Sequence, residues 1–486
     1  MTFIHWSAGA ERAQAACDLW PSDGPGGVIL GFDRDGVRFC VAGGAERVGE
    51  RRTFGADTVV RWASVTKHVF AAFILESGLS LDATLGSLLP MHPVPGAVTV
   101  RQAMAMQGGL PDTRDMLTLL GMSAETETRA PHLLAWSSGI DRLNAEPGTE
   151  VAYSNAGYRL VEAAMEARGL RFADWVREQG HGMVAPDYWT EPVAGLVPGH
   201  VPRDGRWVQG GQGMHLSAAG SLAGSVSHLA SWLGDLMGRD AFAIMAAPVP
   251  LKDGRMTGYG LGLRQTQFGG RMLPGHGGAQ AGYRSCFLLM PEQGLGICVV
   301  TNRDDAEASV IAETVMAALL GHRPTETRVQ DFAPPGLYAA AEGNLWAEMR
   351  PSSIIVRDAE EKLFASGDVA MSHAPQSPIR LRWTGKVLEG EIGHLPVQLF
   401  PAWDEPANGT LDSWWERDGA TFHITGDRVH WGVGPRAEVS DLTSLGGGRW
   451  LFTALGRRIC LRRLDADRIE LSLSRARIIE YVRLSA

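Results

Sequence analysis

Two β-hairpin patterns lie far apart in the chain, with a mostly helical pattern between them. The first joins residues 27–32 to residues 37–42 through the turn sequence DRDG. The second joins residues 286–290 to residues 295–301 through PEQG, and residues 304–321 are typical of a closing helix. This order predicts an α+β domain with one antiparallel sheet, built from both ends of the first ~320 residues, and with helices inserted between.

A different pattern begins after the segment HRPTETRVQDFAPPG, which we interpret as a linker. Beyond it, short alternating runs such as SSIIVRD, IRLRW and ATFHITGDRVHWGV recur with turn residues between them. The remaining length suits two small antiparallel β-barrels, divided at PAWDEPANG. We therefore predict an α+β domain at residues 1–325, a β-barrel domain at 326–407 and a second β-barrel domain at 408–486.

The composition argues against several partners. The net charge is -9 and no basic run is present, so we expect no nucleic acid partner. No apolar run reaches the roughly 20 residues of a membrane span, so we expect no membrane association. Charged residues interrupt residues 1–20, which predicts a short amphipathic helix and no signal peptide. The five cysteines are scattered without CxxC spacing, so we expect no disulfides or zinc, and a cytoplasmic location.

Ser64 and Lys67 lie three residues apart in RWASVTKHVF, which holds one of only four lysines in the chain. On a helix this spacing puts the hydroxyl and the amine side by side. A desolvated lysine can activate a serine by taking its proton, whereas arginine does not deprotonate in proteins. The alternative is that Ser64 caps a helix and Lys67 lies on its solvated first turn.

Two further motifs carry candidate groups. Tyr153 and Asn155 lie in YSN, where a phenol near an ammonium can act as a general base and an amide can bind a substrate amide. The alternative is a loop in which Asn155 caps a helix. His276, Gly278 and Ala279 lie in HGGA, ahead of a strand whose backbone N–H can form part of an oxyanion hole. The alternative is a glycine-rich turn with a surface histidine.

The order S-x-x-K, Y-x-N and H-G-G resembles the penicillin-recognising serine hydrolases, a superfamily that includes class C β-lactamases, DD-peptidases, family VIII esterases and D-stereospecific aminopeptidases. The segments LSLDATLGSLLP, VTVRQAMAMQGGLPD and YGLGL are also similar to that superfamily. The resemblance covers about residues 24–320. It implies a β-lactamase/DD-peptidase-like fold, an antiparallel sheet flanked by helices with a helical subdomain, for the first predicted domain.

The resemblance also implies roles for individual residues. Ser64 would be the acylated nucleophile, Lys67 its proton partner, Tyr153 the general base and Asn155 a contact to the substrate amide. No metal or organic cofactor is implied.

The third motif has an implied role as well. His276 would occupy the position that lysine often holds in K-T-G, Gly278 would let the strand approach the substrate, and the N–H groups of Ser64 and Ala279 would form the oxyanion hole. Because histidine need not be charged at pH 7, this motif disfavours a β-lactam or a free C-terminal carboxylate as ligand.

Within the superfamily the D-stereospecific aminopeptidases are the most similar, through GPGGV at residues 24–28, H-G-G and two C-terminal barrels. One feature departs from their pattern. Only Leu455 and Gly456 stand where a long acidic loop is expected to reach the substrate's amino group. Asp112 or Asp115 would then have to bind an ammonium; otherwise the site is more open and accepts different substrates.

We therefore predict a serine hydrolase that forms an acyl-enzyme and releases N-terminal D-amino acids from short peptides, amides or esters. The alternatives are a carboxylesterase, a DD-peptidase or β-lactamase-like hydrolase, and, in a different class, a non-catalytic ligand sensor on the same scaffold. The sequence leaves the oligomeric state open between a monomer and a homodimer.

Overall fold

A computed structural model describes residues 3–268, 270–322, 332–372, 374, 377–432 and 434–484. The strands of the first domain are β1 (Gly27–Asp33), β2 (Gly36–Gly43), β3 (Val60–Arg61), β4 (His200–Arg203), β5 (Arg206–Gln209), β6 (Ala223–Gly224), β7 (Arg264–Phe268), β8 (Arg271–Gln280), β9 (Tyr283–Met290) and β10 (Leu295–Thr301). Its helices are α1 (Trp6–Cys17), α2 (Thr66–Glu76), α3 (Leu85–Leu88), α4 (Pro93–Gly96), α5 (Val100–Met104), α6 (Thr113–Leu119), α7 (Ala130–Ser138), α8 (Ala156–Glu166), α9 (Phe172–Glu178), α10 (Val226–Leu236), α11 (Asp240–Ala246) and α12 (Ala308–Leu319).

The main sheet has the strand order β2-β1-β10-β9-β8-β7, so both predicted hairpins are confirmed and lie side by side. Strands β1 and β10 pair antiparallel, with Gly27 opposite Thr301, and this pairing joins the two ends of the domain. The predicted helices near residues 6–17 and 308–319 are also confirmed, as α1 and α12. The closing helix begins at Ala308, later than predicted, and the Asp304 carboxylate before it accepts from the Gly282 N–H.

Successive residues of β1 face two different hydrophobic cores. Val28 and Leu30 pack into the core that contains α2 and α10. Ile29 packs into the core that contains α1 and α12. A strand covered on both faces reads as a continuous apolar run, as GVILGF does. The sheet therefore supports α2, the helix that carries Lys67, from one side, while the helices between β3 and β7 enclose it from the other.

The second region is a closed eight-stranded antiparallel barrel, in which β11 also pairs with β18. Its strands are β11 (Gly336–Ala340), β12 (Trp346–Met349), β13 (Ser353–Val356), β14 (Ala359–Ser366), β15 (Val369–Ser372), β16 (Ile379–Trp383), β17 (Leu388–Ile392) and β18 (Leu395–Pro401). Alternate residues such as Ile379, Leu381 and Leu399 fill its interior. The predicted barrel fold of this region is thus confirmed.

The last region is a nine-stranded antiparallel sheet with the order β22-β21-β20-β19-β27-β26-β25-β24-β23. Its strands are β19 (Ser413–Arg417), β20 (Ala420–Thr425), β21 (Arg428–Trp431), β22 (Glu438–Asp441), β23 (Thr443–Ser444), β24 (Arg449–Ala454), β25 (Arg457–Arg463), β26 (Arg468–Ser472) and β27 (Ile479–Arg483). It is barrel-like and nearly closed, because Ser440 Oγ of β22 accepts from the Thr453 N–H of β24 at 2.8 Å. At this seam, where β22 meets β24, a side-chain hydrogen bond takes the place of the backbone hydrogen bonds of a regular strand pair.

The last sheet also packs against the helical part of the first domain. Met116 and Leu119 of α6 belong to the same hydrophobic core as Trp415 and Phe422 of the sheet. The Tyr481 hydroxyl donates to the Leu119 carbonyl at 2.8 Å. This contact fixes the position of the β26–β27 loop over the helical region.

The predicted division into three domains remains a prediction. The boundary after residue 325 lies outside the described residues, and the boundary after residue 407 falls between β18 and β19. Among the described residues, none of the helices combines the length and apolar character that crossing a bilayer requires.

Candidate active site

Ser64 lies in a sharp turn between β3 and α2. A 3₁₀ helix, Ala63–Val65, connects the two elements, and Ala63 has a φ of 51°. This left-handed conformation costs roughly 1–2 kcal/mol for a residue with a Cβ, so the surroundings must impose it. The buried Trp62 does so, since its N–H donates to Leu222 O at 2.8 Å and its indole N–H donates to Gly224 O at 3.0 Å. The turn leaves Ser64 half-buried, facing a cleft.

Lys67 is fully buried and lies about one helical turn after Ser64. Its Nζ lies 3.2 Å from Ser64 Oγ, 2.8 Å from Asn155 Oδ1 and 2.6 Å from Ala219 O. Burial lowers the pKa of Lys67, and the charge of the nearby Tyr153 partly offsets this effect. The alternative that Lys67 lies on a solvated first turn is therefore wrong, and its amine is placed to exchange a proton with the serine hydroxyl.

Tyr153 and Asn155 approach Lys67 from the loop before α8. The Tyr153 ring centroid lies 4.9 Å from Lys67 Nζ. Asn155 occupies the N-cap position of α8, but its side chain makes no capping bond. Instead its amide oxygen accepts from Lys67 at 2.8 Å and its amide nitrogen donates to Asp112 Oδ2 at 2.8 Å. Asn155 thus occupies the helix-cap position that the alternative predicted, but its side chain binds Lys67 and Asp112 and does not cap the helix.

Asp112 is completely buried and connects three parts of the site. Its Oδ2 accepts from the Asn155 N–H at 2.7 Å, and its Oδ1 accepts from the Arg114 N–H at 3.0 Å as the N-cap of α6. Asp115 Oδ2 accepts from the Arg475 N–H at 3.0 Å, and its Oδ1 pairs with Arg457. Both acids are thus occupied by donors of the chain itself. Binding of a substrate ammonium by either remains an untested prediction.

Strand β8 brings the H-G-G motif against the turn that carries Ser64. A Cβ on Gly278 would lie 2.2 Å from Trp62 O, so only glycine permits this approach. Ala279 lines the same cleft as Ser64. The strand therefore packs against the turn that carries Ser64, and the oxyanion-hole role of the Ala279 N–H stays a prediction.

His276 is buried behind Tyr153, so the alternative of a surface histidine is wrong. Its ring centroid lies 6.3 Å from that of Tyr153, and its Nε2 lies 2.9 Å from the Tyr259 hydroxyl. Burial, followed by the charge of Arg264, lowers the pKa of His276 well below its usual value. A neutral imidazole that contacts tyrosines can position Tyr153, but it supplies no cation to the cleft.

The β26–β27 loop of the last sheet reaches Tyr153. The Arg475 guanidinium lies 4.8 Å from the Tyr153 ring centroid. The Arg475 backbone carbonyl accepts from the Asp112 N–H and from Asn144 Nδ2, each at 2.8 Å. Leu455 and Gly456 form only the tight turn between β24 and β25, both with positive φ. The short turn noted in the sequence is therefore present, and a different loop covers the site.

Three residues of this site were not predicted from the sequence, namely Arg475, Ala219 and Tyr259. Arg475 lies in LSRARI, which carries no motif, and Ala219 contributes only a backbone carbonyl, which has no sequence signature. Tyr259 opens the segment YGLGL, which resembles the superfamily, so its position could have been inferred from that segment. In the described part of the chain, no group of three or more His, Cys, Asp or Glu side chains is arranged to hold a metal ion.

We expect Asn144→Ala to loosen the loop that carries Arg475. The Asn144 side chain donates to Arg475 O at 2.8 Å and accepts from the Arg477 N–H at 2.9 Å. Losing both bonds should cost about 1–3 kcal/mol of unfolding free energy. Cleavage after Arg475 or Arg477 by trypsin under native conditions should become faster, whereas unchanged cleavage would show that other contacts hold the loop.

We expect Glu162→Gln to change how stability depends on pH. Burial raises the pKa of Glu162 to about 8. A carboxyl with a raised pKa contributes stability below its unfolded pKa of about 4.5 and loses it as pH rises toward 8. The variant should match the natural protein at pH 4 and exceed its unfolding free energy increasingly up to pH 8, by no more than about 1.4 kcal/mol per pH unit. Denaturant unfolding measures this, with the exposed Glu127→Gln as control; a constant difference would contradict it.

A serine in contact with a buried lysine, with a tyrosine beside the lysine and a glycine-containing strand opposite, is the arrangement expected of a serine hydrolase. The chain belongs to the beta-lactamase family, because residues 20–321 match the model described as Beta-lactamase.

Comparisons with individual proteins agree with the family. A D-aminopeptidase of Gluconobacter oxydans (strain 621H) is 26% identical over 364 residues, which cover 71% of this chain and 69% of the relative. The chain spans about two thirds of the length of the first curated relatives it matches.

Two solved structures share the fold. The octameric penicillin-binding protein homologue from Pyrococcus abyssi has a TM-score of 0.56 at 18% identity, and the match covers 98% of each chain. The D-amino acid amidase from Ochrobactrum anthropi SV3 has a TM-score of 0.54 at 19% identity, covering 65% of this chain and 99% of the other.

Proposed function

We propose that this serine hydrolase forms an acyl-enzyme at Ser64 and releases N-terminal D-amino acids from short peptides, amides or esters. The observation that carries the proposal is the 3.2 Å contact between Ser64 Oγ and the fully buried Lys67 Nζ. The D-amino acid part rests on the curated relatives, which are D-aminopeptidases.

The reaction proceeds in two halves. Ser64 Oγ bonds to the substrate carbonyl carbon while its proton passes to Lys67 or Tyr153, and the carbonyl oxygen takes up negative charge. The N–H groups of Ser64 and Ala279 stabilise that oxyanion. The tetrahedral intermediate then expels the amine or alcohol, which receives the proton, and leaves the acyl group on Ser64. Water attacks the ester with help from the same base, which releases the acid and restores the serine.

Each remaining group has a positioning role in this proposal. Asn155 is held by Lys67 and Asp112, and its side chain faces the cleft where the substrate amide would lie. His276 and Tyr259 support Tyr153 from behind.

A carboxylesterase is the second candidate, favoured by one observation. Asp112 and Asp115 are both occupied by donors of the chain, so neither is a ready partner for a substrate ammonium. An enzyme without an ammonium site has no need of a free amino group on the substrate.

Four substrates separate these candidates: D-alanine p-nitroanilide, L-alanine p-nitroanilide, p-nitrophenyl butyrate and nitrocefin. The proposal expects turnover of the D-anilide at least about 100-fold faster than the L-anilide, because only one configuration aligns the carbonyl with the serine and the oxyanion donors. Turnover of the ester alone favours the carboxylesterase. No turnover with a stable adduct on Ser64 favours a sensor, and rapid loss of nitrocefin favours a β-lactamase-like enzyme.

We also propose that the protein works in the cytoplasm. The five cysteines are free, and one of them, Cys40, is exposed, which suits a reducing compartment. Fractionation of native host cells tests the location, and recovery of the protein from an oxidising compartment would contradict it.

A further inference from the structure

We infer that the cleft binds a carboxylate of the substrate through Arg475 and Arg114, two arginines contributed by different parts of the fold. This inference rests on the proposed function, because it names a class of substrate for the same serine site.

Arg475 is the outer of the two groups. Its side chain is exposed and its guanidinium lies over the Tyr153 ring, 4.8 Å from the centroid. Within the part of the chain that the structure describes, this guanidinium forms no ion pair and donates no hydrogen bond. The backbone of the same residue is bound to Asp112, Asp115 and Asn144. The position is therefore fixed by three backbone bonds, while the charge is left available.

Arg114 is the inner group. It is half-buried and lines the cleft together with Ser64 and Asn155. Its side chain also has no ion-pair partner among the described residues. Burial lowers the pKa of Arg114. The negative charges of Asp112 and Asp115 oppose this lowering, and the positive charges of Arg475 and Arg457 add to it. Arg475 lies over the Tyr153 ring and Arg114 lies in the cleft lining with Ser64, so an anion bound beside Ser64 would be attracted by both charges.

The cleft lining carries no acid to balance this charge. The residues that line it are Ser64, Arg114, Asn155, Arg159, Gln212, Met214, His215, Leu216, Ser217, Ala219, Gly220, Ala279 and Gln280. Arg159 is occupied, since its two terminal nitrogens bond to His215. Asp112 and Asp115, the acids nearest to Arg114, are already bound by other donors. In a protein with a net charge of -9, such a cleft is a local concentration of positive charge.

A carboxylate is the ligand that fits this arrangement. A guanidinium presents parallel N–H donors that match the two oxygens of a carboxylate, and the bonds are charge-assisted. The neutral His276 had disfavoured a carboxylate at the third motif, but the two arginines supply cations from α6 and from the last sheet instead. The carboxylate can belong to the leaving group, as in a dipeptide, or to the acyl group, as in a D-glutamyl substrate.

Two matched substrate pairs distinguish these sources. D-Ala-Gly against D-Ala-Gly amide tests the leaving group, and D-Glu p-nitroanilide against D-Gln p-nitroanilide tests the acyl group. We expect kcat/KM to favour the acid by about 10-fold or more in at least one pair, as a charge-assisted bond predicts. Arg475→Gln and Arg114→Gln should bring that ratio close to 1, because kcat/KM falls more for the acid than for the neutral substrate. Arg475→Glu should favour the neutral member.

Controls separate a substrate contact from a structural one. Arg428→Gln removes an exposed arginine of the same sheet, which pairs with Asp441 away from the cleft, and should leave the ratio unchanged. If Arg475 only holds Tyr153 by its cation–π contact, Arg475→Gln would slow the acid and the neutral substrate equally. That result, or no preference for either acid in the natural protein, would overturn the inference.

If no D-substrate is turned over, the proposed function is wrong. A binding measurement can still test the carboxylate site in that case. Titration of the Ser64→Ala protein with D-Ala-Gly, D-Ala-Gly amide, D-glutamic acid α-amide and D-glutamine amide needs no turnover, and the members of each pair differ in one carboxylate. Tighter binding of an acid, weakened in Arg475→Gln and at high salt, supports the carboxylate site without the aminopeptidase. Equal affinities within each pair would overturn the site.

Discussion

Replacing Lys67 by arginine is expected to reduce kcat/KM by at least about 1,000-fold, because general-base help of this order is lost and the nucleophile is left unactivated. Arginine retains the positive charge but does not give up a proton near neutral pH. It is also larger than lysine, and the Lys67 Nζ is already in contact with Ser64, Asn155 and Ala219. The variant therefore tests proton exchange and the fit of the buried amine together.

A surface lysine provides the matched control. Lys252 is half-exposed and pairs with Glu146, so Lys252→Arg should keep full activity. Circular dichroism and thermal melting show whether Lys67→Arg still folds. Lys67→Met adds a neutral side chain of similar length, and it should be as inactive as the arginine variant. A folded Lys67→Arg enzyme with near-natural kcat would exclude lysine as a proton partner of Ser64.

Gly278→Ala is expected to reduce kcat by about 100-fold or more, through loss of an oxyanion-hole donor. The added Cβ would lie 2.2 Å from Trp62 O and 2.4 Å from Ser285 Oγ. One of these atoms is backbone, so β8 must move away from the turn that carries Ser64. The Ala279 N–H moves with the strand. Substrate binding should change less than kcat, since the oxyanion exists only after attack on the carbonyl.

Gly55→Ala is the control for the glycine change, because a Cβ at that position meets no atom within 4 Å. It should leave kcat and KM unchanged. Thermal melting should also separate the two variants, because overpacking at a buried position costs typically 1–3 kcal/mol. Full activity of Gly278→Ala would mean that β8 does not deliver the oxyanion donor.

Local patterns account for the part of the fold that sequence could predict. The hairpins at β1–β2 and β9–β10 follow from apolar runs joined by turn residues, and α12 follows from its helical periodicity. In helix α2, by contrast, every residue from Thr66 to Ile74 is buried. Its surroundings come from distant segments, including α9 and α11. The seam of the last sheet depends on Ser440 Oγ, which no strand pattern indicates.

The same distinction holds at the candidate site. Ser64 and Lys67 are neighbours on one turn, so their spacing could suggest a shared role. Asn155 could be placed beside them only through the resemblance to a family, since 88 residues separate it from Lys67. Arg475 reaches Tyr153 because the last sheet packs on α6 through Met116 and Leu119, a tertiary contact without a local signature. Local spacing therefore indicates the groups that share one turn, whereas tertiary contacts bring the other groups to the site.

Covalent labelling of Ser64 tests the central claim most directly. The protein is incubated with the p-nitrophenyl ester of D-alanine, quenched in acid within milliseconds to seconds, and its intact mass and peptide map are measured beside those of Ser64→Ala. If water releases the acyl group too fast for it to be trapped, a fluorophosphonate probe is used instead. Its adduct on serine is a phosphonate ester, which the hydrolysis of the acyl-enzyme does not remove. We expect a single adduct on the peptide that contains Ser64 and none in the variant. An adduct on another residue, or full turnover by Ser64→Ala, would contradict it.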